Sequence, residues 1–96
     1  MIIEKNDHTL EIRFPNQATI HRVEEDLNFL KETMANHKNL EQVTLDVSEI
    51  EEIDTYYFQL ICTVIYSFRR KGIALLKKNS SPALDQMARL YQIDSI

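Results

Sequence analysis

Residues 43–68, VTLDVSEIEEIDTYYFQLICTVIYSF, limit what this chain can fold into more than any other stretch. A short apolar run is joined to a long one through an acidic turn. Val43, Leu45 and Val47 alternate with Thr44 and Asp46, the period of a strand packed on at least one face. From Thr55 on, Tyr57, Ile61, Val64, Ile65 and Phe68 recur at the spacing of one helical face. At about 100° per residue the apolar arc also takes in Phe58, Leu60 and Cys62, leaving Gln59, Thr63 and Ser67 as a narrow polar stripe. A sheet on one side cannot satisfy so wide an arc. The pattern predicts a helix wedged between a sheet and neighbouring helices, or one that lends its outer edge to a partner. Asp54 or Thr55 can cap its start, Arg69, Arg70 and Lys71 suit the negative end of its dipole, and Gly72 stops it.

The flanking segments supply the rest of a sheet. Residues 2–5 and 9–14 read as two short strands joined by Asn6, Asp7 and His8, a β-hairpin. Pro15 and Asn16 break the second strand, and Ala18, Thr19 and Ile20 form either a brief third strand or the lead-in to a helix. That helix covers about 21–36, with Val23, Leu27, Leu30 and Met34 as its inner stripe. Residues 73–76 are most simply another buried strand, ending at Lys77, Lys78 and Asn79. Ser81 before Pro82 then gives an N-cap followed by proline at the first helical position, and Leu84, Met87, Leu90 and Tyr91 supply the inner face of the last helix.

The element order is β-β-(β)-α-β-α-β-α. The opening hairpin must be antiparallel, while the later strand-helix-strand unit favours parallel strands with a right-handed crossover. One α/β domain over 1–96 is expected, with a mixed four- or five-stranded sheet layered with three to four helices. A chain of 96 residues can bury roughly 60 to 65% of its unfolded surface, so neither disulfide nor metal is required.

Charge and composition narrow the function. Eleven basic against fifteen acidic residues, a net charge of -4, argue against nucleic acid, and the basic clusters 69–71 and 77–78 lack interleaved aromatics. The single glycine excludes a glycine-rich phosphate cradle. His8, His21 and His37 are not spaced as metal ligands, and Cys62 lies mid-helix without a neighbour that would activate it. No metal and no cofactor are expected. Residues 56–68 are too short and too polar to span a membrane, and the first residues lack the basic flank and apolar core of a secretory signal, so a cytoplasmic protein is expected. The carboxylates Asp46, Glu49, Glu51, Glu52 and Asp54 can bind a cation or pair as acid and base. Their alternation with Ile50 and Ile53 favours a turn that tucks the isoleucines inward and solvates the rest. Nothing beside the carboxylates completes a reaction centre, so an enzyme ranks lowest.

Several motifs fall in a recurring order: Leu45-Asp46-Val47-Ser48 at a strand end, Ile53-Asp54-Thr55 opening a helix with Phe58-Gln59-Leu60-Ile61, then Gly72, a strand, and Asn79-Ser80-Ser81-Pro82. This pattern resembles the STAS domain of bacterial anti-sigma-factor antagonists and sulfate-transporter tails, and most of all the stand-alone bacterial members with Asp-Thr. The resemblance implies a non-catalytic regulatory module. Thr55 would be its phosphorylation site, and Asp46, Ser48, Asp54, Thr55, Tyr56, Tyr57 and Gln59 its partner surface.

The physics agrees with that role. A phosphate at a helix start faces free N–H groups and the helix dipole. Against a partner's carboxylate about 6 Å away, at an effective dielectric of about 20, it would be repelled by roughly 3 kcal/mol, about two decades of affinity. The family usually places small residues after the hydroxyl; this chain has Tyr56 and Tyr57, which either screen Thr55 from a kinase or form a binding surface themselves. The implied partners are an anti-sigma-like kinase, a chemotaxis-associated protein, or the ATPase of a lipid-transport system to which the domain would be bound constitutively. A homodimer through Tyr56, Leu60 and the stripe of Gln59, Thr63 and Ser67 is a further alternative.

Overall fold

The structure, a computed structural model, describes residues 1–93; residues 94–96 of the expected domain lie outside them. Strands β1 (Ile2–Asn6) and β2 (Thr9–Arg13) form the hairpin, and Asp7 takes the left-handed conformation (φ 54°) that its two-residue turn demands. Strand β3 (Gln17–Ala18) leads into helix α1 (Ile20–Asn36). Strands β4 (Gln42–Asp46) and β5 (Glu52–Ile53) follow, then α2 (Thr55–Arg70), β6 (Ala74–Lys78) and α3 (Pro82–Leu90).

The main sheet is four-stranded, in the order β1-β2-β4-β6. Its hairpin is antiparallel and its other two pairings are parallel. The register puts Leu10, Val43 and Leu75 in one row and Ile12 and Leu45 in the next, so alternation sends these side chains to the same face. That face packs with the helices in one core. The opposite face is polar and carries Arg13 between Glu4 (3.0 Å) and Glu11 (3.8 Å), with Lys78 3.5 Å from Glu11.

Helix α2 is indeed wedged in, meeting α1, β6 and α3. It ends as Gly72 implies: Gly72 has φ +72°, Ile73 N–H donates to Phe68 O at 3.1 Å and Gly72 N–H to Arg69 O at 3.1 Å, the paired bonds of a Schellman cap. Among the described residues, no atom beyond Gly72 and its two chain neighbours lies within 4 Å of where a Gly72 Cβ would stand, so backbone conformation and not space fixes the glycine.

Four sequence expectations change. The third strand forms as Gln17–Ala18 and pairs in parallel with β5, a strand inside the acidic turn, making a separate two-stranded sheet. Strand β6 is a mostly exposed edge strand running on through Lys78, not a buried one ending at residue 76, because among the described residues its only strand neighbour is β4. In α3 the residues buried inward are Leu84 and Ala88, with Met87 partly buried, while Leu90 is 72% exposed. Leu60 is buried in the core and drops out of the alternative dimer surface, whose other residues Tyr56, Gln59, Thr63 and Ser67 are exposed. No helix among the described residues is long and apolar enough to cross a membrane.

Candidate functional site

The turn before α2 delivers Asp54 to the starts of two helices at once. One carboxylate oxygen accepts Tyr57 N–H at 2.9 Å, the N-cap bond of α2. The other accepts Ile20 N–H at 2.6 Å, at the start of α1. Thr19 stands at the N-cap position of α1 but makes no side-chain cap bond, so Asp54 supplies that acceptor from 34 residues away. The Asp54 N–H also donates to Ala18 O at 3.1 Å. One negative charge thus serves two helix dipoles, which favours both ends. The sequence pointed to the cap and missed the second helix.

Tyr56 and Tyr57 part ways in the first turn of α2. Tyr56 is 57% exposed; Tyr57 is fully buried. The Tyr57 hydroxyl donates to a buried Asp26 carboxylate at 2.6 Å, and its ring meets Phe14 edge-on with centroids 6.3 Å apart. Arg22 and the Met1 amino group lie 3.5 and 3.7 Å from the other Asp26 oxygen. Burial, then the Asp26 hydrogen bond and charge, push the Tyr57 hydroxyl's pKa well above its ordinary value. Tyr57 therefore cannot be part of a partner surface or a screen over Thr55. It is a core side chain that ties α2 to α1. Asp26 escaped the sequence reading, although its position three residues after Val23 and four before Leu30 places it on the buried stripe of α1.

Thr55, the first residue of α2, is partly buried, and its hydroxyl shares a 3.0 Å hydrogen bond with the Tyr91 hydroxyl. Tyr91 ends α3 and stacks on Phe58, with centroids 5.6 Å apart and planes 15° from parallel. The candidate hydroxyl is thus held by the C-terminal cap residue of α3. Gln59 lies one turn on, exposed, and its carbonyl accepts the Thr63 hydroxyl at 2.9 Å.

Asp46 and Ser48 form a second cluster at the end of β4. One Asp46 oxygen accepts Ser48 N–H at 3.0 Å, Ser48 Oγ–H at 2.7 Å and the Asn79 amide at 3.4 Å. Asn79 is held in the left-handed conformation at φ 65°. Burial works to raise the Asp46 pKa, but the Ser48 and Asn79 hydrogen bonds and the nearby Lys78 outweigh it and hold it below the ordinary 3.8. Asp46 therefore braces the loops that carry Ser48 and Asn79, and of the pair only Ser48 is exposed.

The proposed partner residues fall into three kinds: Tyr57, in the core; Asp46 and Asp54, braces of which Asp46 is buried and Asp54 half-buried; and Ser48, Thr55, Tyr56 and Gln59, at least partly accessible. Among the described residues no group of three or more His, Cys, Asp or Glu side chains is placed to hold a metal. Burial raises the Cys62 thiol's pKa, which keeps it protonated and unreactive near neutrality.

No family model matches the chain, and no curated protein does. Among solved structures, a crystal structure of Mglu in its native form is similar, with a TM-score of 0.68 at 13% sequence identity over 82% of this chain. The chain spans only 22% of that structure's length, and at this identity the likeness shows the fold alone.

Proposed function

We propose that the protein is a non-catalytic regulatory module of the anti-sigma-antagonist type, acting in the cytoplasm, which binds a protein partner through the accessible start of α2. Thr55, Tyr56, Gln59 and Ser48 are its contact residues and Thr55 its phosphorylation switch. The observation that carries this reading is the Thr55 hydroxyl at the first position of α2, beside an exposed tyrosine of the kind that anchors interfaces. A phosphate there acts twice. It repels a partner's carboxylate, and it crowds Asp54, which already occupies the N-termini of α1 and α2. The helix start is therefore not vacant for the new charge, and phosphorylation would also loosen the joint beneath the surface. The experiment is intact-mass and peptide mapping of protein isolated from its native cells, followed by binding of the co-purified partner to Thr55→Ala and Thr55→Glu variants. Binding kept by the first and lost by the second is expected; indifference to both removes the site.

A second reading has its own observation. Because the Thr55 hydroxyl is already bonded to Tyr91, it suits a domain whose hydroxyl is structural and whose partner, such as a lipid-transport ATPase, is bound permanently. Unmodified Thr55 in a stable complex with an ATPase would favour it.

A further inference from the structure

Helix α3 carries more apolar surface than its own core uses. Its inner residues Leu84 and Ala88 are buried, while Ala83, Met87 and Leu90, at i, i+4 and i+7, line an open groove with Ile53 of β5. The groove has a volume of about 450 Å³ and is completed by Glu51, Glu52 and Gln86. The Glu51 and Glu52 amides are both held by Asn16 O, at 2.9 and 3.1 Å, so the acidic lip stands on a fixed backbone while its side chains face solvent. None of the residues lining the groove is basic.

We infer that this groove docks an amphipathic helix of a partner protein that presents leucine- or methionine-like anchors toward α3 and lysine or arginine toward Glu51 and Glu52. The length fits: the eight residues of α3 from Ala83 to Leu90 span about 10 Å, two helical turns, which is the reach of anchors at i, i+3 or i+4 and i+7 on a partner helix. Complementary charge selects such a helix over an acidic one of the same apolar face. The groove adjoins the proposed surface, since Ile53 precedes the Asp54 cap and Leu90 precedes the Tyr91 that holds Thr55. The inference rests on the binding-module reading and names the partner's chemistry, but it does not require Thr55 to be modified.

Two synthetic three-turn helical peptides with one leucine face test it, one with lysine and the other with glutamate on the polar side, each titrated into the full chain and followed by fluorescence anisotropy and amide NMR shifts. The lysine peptide should bind at least about tenfold tighter, with shifts gathered at Ile53, Ala83, Met87 and Leu90. Leu90→Ser and the pair Glu51→Lys with Glu52→Lys should each weaken it by about tenfold. Leu90 is 72% exposed, so its substitution leaves the melting temperature in place and a loss of binding reads the groove and not the fold. Equal binding of the two peptides overturns the inference, as do shifts centred on Leu27 and Met34 or indifference to Leu90→Ser. A dimer seen by sedimentation and abolished by Leu90→Ser would give the face to a second copy and likewise overturn it. Thr55→Glu separates the two proposals. A co-purified partner that loses binding with Leu90→Ser but ignores Thr55→Glu upholds the groove while removing the switch, and a partner that responds to Thr55→Glu but not to Leu90→Ser does the reverse.

Discussion

Helices α2 and α3 begin alike, each with a side chain accepting the amide three residues on, Asp54 for Tyr57 and Ser81 for Leu84. Past that bond they are held very differently. The Asp54 cap also holds α1, and the residue it caps is a buried tyrosine bonded to Asp26, so the first turn of α2 belongs to the core. The Ser81 cap is buried and donates to Ile50 O at 2.9 Å, but the helix it opens turns one apolar stripe toward water. The same local signal thus starts a fixed joint in one place and a peripheral, available surface in the other. What distinguishes them is the tertiary partner of the capped turn, which no cap motif encodes.

The comparison is broken most directly at Asp54. Asp54→Ala removes acceptors from two helix starts and is expected to cost about 3 kcal/mol, lowering Tm by about 12 to 24 °C in a domain of this size. A loss below 1 kcal/mol in urea unfolding would mean that α1 and α2 are not joined there. Next comes Tyr57→Phe, at about 2 kcal/mol, since it strips a hydrogen bond from a buried carboxylate. This difference has a pH signature. The folded-state pKa of Tyr57 is raised above its unfolded value of 10.0, so its contribution is full below about pH 10 and falls as the unfolded chain ionises above it. Stability curves of wild type and Tyr57→Phe should therefore approach each other above pH 10, by about 1.4 kcal/mol per pH unit.

Ser81→Ala should cost about 1.5 kcal/mol, losing the α3 cap and the bond to Ile50 O. Its hydrogen-exchange effect should be confined to α3 and the turn at Ile50; spread into α2 would erase the contrast between the helices. Tyr91→Phe comes last on this axis, at about 0.5 kcal/mol, because its bond to Thr55 is exposed. Its sharper readout is faster exchange at the end of α3, leaving the start of α2 untouched. Tyr56→Ala should fall within about 0.5 kcal/mol of wild type, in contrast to its neighbour.

The sequence made much of this legible. Hydrophobic period and caps located the three helices, and the alternation at Val43, Leu45 and Val47 located the central strand, because these signals are local. The helical spacing had already put Tyr57 on the inner face of α2; reading it as a surface tyrosine set the family-derived role above that spacing. Strand β5 was hidden because two residues carry no period, and it exists only by pairing with Gln17 and Ala18. The Tyr91 contact with Thr55 was hidden for a related reason, as it joins residues 36 apart whose types alone do not single out each other.

The order of the main sheet bears on how the chain can be built as it emerges during synthesis. Reading across it, β1, β2, β4 and β6 appear in the order in which they are translated. Each later strand adds to an edge that already exists, and none has to be threaded between two neighbours. Assembly can therefore run from the first edge to the last at the pace of translation, which adds about 5 to 20 residues per second. Nascent chains stalled once α2 has cleared the ribosome should then already protect β1, β2 and β4 from protease, while chains stalled within α1 should not.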